Sequence, residues 1–315
     1  MWGDIAIAFL LAFITAYVVT PYTIRLSKRI GALDVPKDSR KIHTNSTPRL
    51  GGLAVIAGFT VSIIYLVTIM TIERRLTLVN DDNHHIQLLG FFIGIIVLSI
   101  FCFMDDKKGI PPIVKLLGQV SAAVCVALSG VRIDQIFATS IGGIITSEFL
   151  SFMVTIIWIV GITNAINLID GLDGLSSGIG VISCLSLLII FALNDSPLIA
   201  IILVTALAGA LLGFMPFNFS PAKTFIGDTG SNFLGYSLAV ISILGIAKTY
   251  TAVVVVAPLI VFALPLLDTG FAIIRRIIKT KSFKGVLKGD RGHFHHKILK
   301  ARIYSKTSSF NPICY

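Results

Sequence analysis

Apolar residues in this chain run on for 17 to 25 positions at a stretch, with polar residues gathered into short breaks between the runs. A helix needs about 20 apolar residues to cross ~30 Å of hydrocarbon. The pattern predicts about nine such spans, near 4–24, 51–72, 87–104, 112–130, 150–169, 177–193, 197–215, 231–247 and 250–274. The fourth, sixth and eighth are short or contain glycine, so their ends are the least defined. Ile5 to Pro21 lacks a basic leader and an obvious small-residue cleavage site, and is expected to stay as the first span. The predicted fold is all-α: a polytopic transmembrane helical bundle whose polar loops carry the chemistry.

Composition agrees: 55% of the 315 residues are hydrophobic and 13% are charged, with a mean hydropathy of +0.90. A soluble globular chain does not look like this. Charge adds an orientation. One alternate set of breaks, with the stretch from Arg275 to Lys306, holds 22 of the 26 Lys and Arg residues; the other holds Arg74, Arg75, Arg132 and Lys248. Basic loops face the cytoplasm, which places the N-terminus outside. The net charge of +10 then reads as topology and attraction to anionic lipid, with no nucleic-acid partner. Cys102, Cys125, Cys184 and Cys314 show no paired or metal-type spacing, and the first three fall in predicted spans.

The breaks differ in character. On the outer side, Thr77 to His85 is polar, and Ile133 to Thr146 alternates around Gly142-Gly143 like a small hairpin. The inner breaks mix glycines with donors and acceptors, and all carry candidate chemistry. Asp105-Asp106 ends one apolar run, where adjacent carboxylates suit a base but a solvated helix end balanced by Lys107 and Lys108 is the plain alternative. Asn164, Asn167, Asp170 and Asp173 recur every third residue before and between Gly171 and Gly174, and offer the hard oxygens that Mg²⁺ prefers. Ionised side chains at such places are expensive and usually functional. Gly227 to Asn232 reads GDTGSN and opens a span, so its N–H groups are placed to receive an anion and Asp228 to hold a cation; an ordinary N-cap is the alternative. Arg291, His293, His295 and His296 suit a pyrophosphate, with zinc and a lipid-headgroup patch as competitors. Lys41, His43 and Arg49 repeat that chemistry more weakly. Asp268 is read as pairing with Arg275 and Arg276.

Taken in order, PRLGG at Pro48–Gly52, Asp105-Asp106, NAINLIDGLDG at Asn164–Gly174, FIGDTGSN at Phe225–Asn232 and HFHH at His293–His296 resemble the polyprenyl-phosphate N-acetylhexosamine-1-phosphate transferases. RKIHTNSTPRLGG at Arg40–Gly52 and the His-x-His-His form look like the branch using UDP-N-acetylglucosamine (UDP-GlcNAc) and undecaprenyl phosphate. The phospho-N-acetylmuramoyl-pentapeptide transferase branch, which uses UDP-MurNAc-pentapeptide, is the alternative within the family; a polytopic transporter is the alternative outside it.

The resemblance implies transfer of GlcNAc-1-phosphate to undecaprenyl phosphate with release of UMP, at the cytoplasmic face of a bacterial inner membrane. That step initiates an envelope polymer such as teichoic acid or O-antigen. It implies Mg²⁺ (or Mn²⁺ in its place) on Asp228 and Asn167, with Asp105, Asp106, Asp170 and Asp173 catalytic. Asn164, Lys41, His43, Arg49, Arg291, His293, His295 and His296 are implied to meet substrate. The lipid bilayer is an implied partner, and a homodimer is left open. Residues 1–300 are expected to form one membrane transferase domain. Residues 301–315 are read as a polar tail, shortened or frameshifted relative to the family.

Overall fold

The computed structural model describes residues 2–34, 46–73, 83–133, 148–194 and 196–246, with 262, 263 and 267. Eight helices are described: α1 (Trp2–Ile30), α2 (Gly52–Ile72), α3 (Asn83–Lys108), α4 (Pro112–Leu128), α5 (Glu148–Ile169), α6 (Leu175–Leu193), α7 (Leu198–Asn218) and α8 (Gly227–Ile246). Each coincides with a span expected from the apolar runs. The ninth span apart from Phe262, Ala263 and Leu267, the outer hairpin beyond Ile133, Asp268 and the tail lie outside the described residues. Six helices are long and apolar enough to cross a membrane: α1, α2, α3 from Ile86, α5, α6 and α7; α4 is apolar but has only 17 residues. This is a multi-pass membrane protein.

The helix faces divide as a bilayer requires. On α1, small residues Ala8, Ala12, Ala16 and Thr20 recur every fourth position and are buried, while Ile7, Leu10, Ile14 and Val18 point outward. The small stripe lets α1 lie close against α2 and α7. A Cβ on Gly209 or Gly213 of α7 would run into the carbonyls of Phe9 and Phe13. Without a hydrophobic force between helices in lipid, such close backbone approach is what lets them pack. Ser62 of α2 adds a 2.8 Å hydrogen bond to the Ala8 carbonyl.

The last described helix, α8, is the hub. It packs on α2, α3, α5, α6 and α7. Its Phe233 meets Phe59 of α2 with ring centroids 5.5 Å apart, and its Tyr236 donates to the Phe91 carbonyl of α3 at 3.1 Å. Aromatic pairs in these arrangements add to plain burial, and the buried phenol has its partner.

Short extended pieces finish one end of the bundle. β1 (Leu33–Asp34) and β2 (Thr47–Pro48) pair antiparallel, Leu33 opposite Pro48 and Asp34 opposite Thr47. From β2 onward the PRLGG segment is stitched to the stretch before α8. Phe225 donates to the Pro48 carbonyl at 2.8 Å, Gly51 to the Phe225 carbonyl at 3.0 Å and Gly52 to the Ile226 carbonyl at 2.8 Å. Gly52 then lies directly on Gly230, where a Cβ on either would collide with the other's backbone. PRLGG is thereby a backbone clamp that seats the N-terminus of α8 against that of α2.

Candidate active site

The polar breaks that looked related in the sequence do meet, at the end of the bundle where α2, α4, α6 and α8 begin and α3, α5 and α7 end. The centre is the start of α8. Such an N-terminus carries unpaired N–H groups and partial positive charge, and the sequence suggested that a bound anion answers it. The structure supplies that anion from within the chain. Asp106 of α3 accepts the N–H of Asp228 with Oδ1 at 2.8 Å; its Oδ2 accepts the N–H of Thr229 at 2.8 Å and the Thr229 hydroxyl at 2.6 Å. Gly227, at φ +70°, makes the turn that presents these groups. Asp106 is only 4% exposed, which rules out for it the solvated helix end. Lys107 and Lys108, not Asp106, are the exposed residues there.

Its neighbour Asp105 faces the other way. Oδ1 accepts the Ile110 N–H at 2.9 Å, tightening the turn at Gly109, and Oδ2 lies 3.2 Å from the Lys115 ammonium. That ammonium also bonds Asp228 Oδ1. Asp228 is therefore no cap for its own helix, because its carboxylate reaches across to α4 and α5 instead. Asn167 of α5 donates to the same Asp228 Oδ1 at 2.8 Å and to the Ser231 hydroxyl at 2.8 Å. One positive charge is held between two carboxylates from different helices, with an amide beside them.

The four-residue run at the end of α5 splits. Asn164 and Asn167 lie on the helix, which stops at Ile169. Asn164 binds inward, donating to Gln119 Oε1 of α4 at 2.6 Å and to the Val160 carbonyl at 2.9 Å. Asp170 leaves the helix and accepts the Ser176 hydroxyl at 2.6 Å. Protein packs closely round its carboxyl, and this desolvation, abetted by Asp228 and Asp106 and opposed by Ser176 and the Arg49 charge, pushes its pKa up to about 7. Asp173 accepts the Ala222 N–H at 3.1 Å, pinning the segment between α7 and α8. Asn218 holds that segment from the other side through the Thr224 carbonyl at 3.0 Å and the Ser177 hydroxyl at 2.7 Å.

Arg49 is half-buried beside this group, its N–H fixed by the Ala32 carbonyl and the Ser27 hydroxyl at 3.1 Å each. Lys41, His43, Arg291, His293, His295 and His296 lie outside the described residues.

Two contributors escaped the sequence reading, Lys115 and Gln119; Thr229 and Ser231 lie within the GDTGSN motif, which gave their side chains no role in the site. In the sequence Lys115 is simply one of the 22 basic residues that set topology. The available signal was its i, i+4 spacing with Gln119 on an otherwise apolar helix, which puts both on one face.

Among the described residues no three His, Cys, Asp or Glu side chains cluster as a self-sufficient metal site. The chemistry of the donor set nevertheless fits Mg²⁺, which takes one or two carboxylates, retains waters and completes its shell with substrate phosphate. Asp228 and Asp105 already converge on a cation, the Lys115 ammonium. Asn167 lies beside them with its amide N–H₂ on Asp228, and the same amide carries a hard oxygen of the type Mg²⁺ takes.

The fold and site define a multi-pass helical membrane protein with a buried charge cluster at the ends of its helices. The chain belongs to the family described as glycosyl transferase family 4, which it matches over residues 88–246. That range contains Asp105, Asp106, Lys115, Asn167, Asp170, Asp173 and Asp228, while the PRLGG clamp, Lys41 and His43 precede it and Arg291 to His296 follow it. Over 295 residues it is 38% identical to a probable undecaprenyl-phosphate N-acetylglucosaminyl 1-phosphate transferase of Bacillus subtilis, covering 94% of this chain and 77% of that protein. A decaprenyl-phosphate N-acetylglucosaminephosphotransferase of Mycobacterium tuberculosis is 32% identical over 94% of this chain and 76% of its own. A phospho-N-acetylmuramoyl-pentapeptide-transferase of Staphylococcus haemolyticus is 34% identical, over 76% of this chain and 74% of its own.

Proposed function

We propose that the protein transfers GlcNAc-1-phosphate from UDP-GlcNAc to undecaprenyl phosphate, releasing UMP. The relatives matched over nearly the whole chain act on polyprenyl phosphates and N-acetylglucosamine. The more distant pentapeptide transferases match three quarters of it. The observation that carries the reading is the Asp105–Lys115–Asp228 arrangement with Asn167 beside it, at the ends of membrane helices. A lipid-borne phosphate and a soluble nucleotide meet only at such a boundary. The excess of Lys and Arg in the breaks on this side (22 of 26) supports a cytoplasmic orientation, and with it a bacterial cytoplasmic membrane.

An oxygen of the lipid phosphate attacks the sugar-bearing phosphorus; the bond from that phosphorus to the UMP oxygen breaks, and UMP leaves. A phosphate monoester has its second pKa near about 6 and is mostly dianionic at neutral pH, so positioning and charge neutralisation matter more than a strong base. Asp228 and Asn167, with Asp105 nearby, would hold Mg²⁺, which would supply charge neutralisation for the pyrophosphate. Lys115 offers its ammonium to the same charge. Asp105 orients the incoming phosphate. Asp106 keeps the start of α8 in place, and because both its oxygens are hydrogen-bonded, direct displacement is favoured over a phospho-aspartyl intermediate. Asp170, Asp173 and Arg49 form the polar rim, and Arg291, His293, His295 and His296 steady the diphosphate.

The full chain purified in detergent, given Mg²⁺, undecaprenyl phosphate and radiolabelled UDP-GlcNAc, should yield lipid-extractable label and UMP. Both products should disappear with EDTA and with Asp228→Ala. Label transferred only from UDP-MurNAc-pentapeptide would move the chain to the other branch, and no product from either nucleotide would reject the function.

A further inference from the structure

Three linked amides, Gln119 and Asn232 buried and Asn164 half-buried, lie one helical turn farther into the bundle than the site, and nothing in the proposed chemistry uses them. Gln119 of α4 donates to Asn232 Oδ1 of α8 at 2.7 Å and to Asn164 Oδ1 of α5 at 3.3 Å, and accepts from Asn164 Nδ2 at 2.6 Å. Asn232 donates to the Asp228 carbonyl at 2.7 Å. Gln119 is 2% exposed and Asn232 is fully buried.

Their register is the telling feature. Gln119 follows Lys115 by four residues on α4, Asn164 precedes Asn167 by three on α5, and Asn232 follows Asp228 by four on α8. Each amide thus sits under a site residue on the same helix face. The three helices that supply the cation-holding groups are bolted together immediately beneath them. Helices in lipid associate through van der Waals packing, interhelical hydrogen bonds and lipid entropy, and the polar bonds average only about 0.6 kcal/mol each. Leucines would therefore fill this layer adequately. Amides, unlike leucines, fix rotation and register, because their bonds are directional.

We infer that Gln119, Asn164 and Asn232 form a positioning clasp that sets the spacing of Lys115, Asn167 and Asp228, and so the affinity of the site for a divalent cation. This rests on the reading of Asp228 and Asn167 as cation ligands. Gln119 is the keystone, since both other amides bond to it.

The test is Mn²⁺ binding to the full-length protein in detergent, followed by loss of the free-ion EPR signal, without substrate. Gln119→Met keeps the length of the side chain and removes its bonds. It should weaken Mn²⁺ binding about tenfold, and in turnover lower kcat while KM for the sugar nucleotide stays within about twofold. A variant carrying Gln119→Met, Asn164→Leu and Asn232→Leu leaves no orphaned amide and guards against misfolding of the single variant. It should show the same tenfold loss with a retained unfolding transition. Wild-type affinity in either folded variant, when Asp228→Ala abolishes binding, overturns the clasp alone. Unchanged binding in Asp228→Ala overturns the cation reading and the clasp with it.

Discussion

Asp106 and Thr229, 123 residues apart in sequence, share two hydrogen bonds, from the Thr229 N–H at 2.8 Å and its hydroxyl at 2.6 Å. The first turn of α8 is thus capped by a different helix, and two of its N–H groups, those of Asp228 and Thr229, are already satisfied before any substrate arrives. Charged acceptors make the stronger bonds, and removing one partner strands the other groups. Asp106→Ala strands these neutral donors and should lower stability by about 2–3 kcal/mol and abolish transfer. Thr229→Val keeps both backbone bonds and should cost about 1 kcal/mol. Thermal unfolding in detergent beside product formation checks both, and equal losses in the two variants would contradict the cap.

Lys115 holds Asp105 and Asp228 together. Replacing it with Met leaves two carboxylates facing each other without their counter-charge. Transfer should fall about 10²–10³-fold, as when one preorganised charge-stabilising group is lost. Lys115→Arg restores the charge with different geometry and should recover only part of the rate. Steady-state kinetics at saturating Mg²⁺ distinguishes the two, and a fully active Lys115→Met variant would remove the ammonium from the site.

For Asp170 the sign of the pH effect follows from a folded pKa of about 7 against an unfolded value near 3.9. Between those values the folded protein binds the proton and the unfolded chain does not. Stability from this group is therefore greatest below about pH 4 and is lost as pH rises towards 7. Unfolding midpoints measured from pH 5 to 8 should fall across the lower part of that range and flatten above about 7. Asp170→Asn should remove this component, and an unaltered profile would refute it.

At Gly52 and Gly230 the backbones of α2 and α8 touch, so neither position has space for a methyl group. Gly52→Ala must push α2 away from the segment that carries Asp228. Overpacking of this kind costs about 1–3 kcal/mol. A loss of transfer exceeding the loss of folded protein is expected, because the displaced turn belongs to the site. Activity normalised to the folded fraction decides the matter.

Much of the fold was legible because bilayer thickness imposes a length on every span. All eight described helices could be placed from their apolar runs. α1 extends six residues beyond its expected end at 24, to Ile30, because Thr20, Thr23 and Ser27 satisfy themselves on backbone carbonyls and the helix continues past the hydrophobic stretch. The meeting of Asp105, Asn167 and Asp228 was legible too, since carboxylates and amides at span ends stand out against leucine and isoleucine. The division of labour between Asp105 and Asp106 was not, for it depends on which way α3 is rotated against α8. Lys115 was hidden by ambiguity: a lysine near a helix end marks topology in most membrane proteins. PRLGG stands out as a motif, yet apart from the Arg49 charge its clamp is made by main-chain atoms, and nothing in residue chemistry announces that.

The glycine contact between α2 and α8 also bears on how such a protein diversifies. A seam made of main chain against main chain offers no side chains for selection to exchange. New donors or new lipid carriers must instead be accommodated by residues whose side chains reach the water, while the geometry of the reacting centre is inherited unaltered.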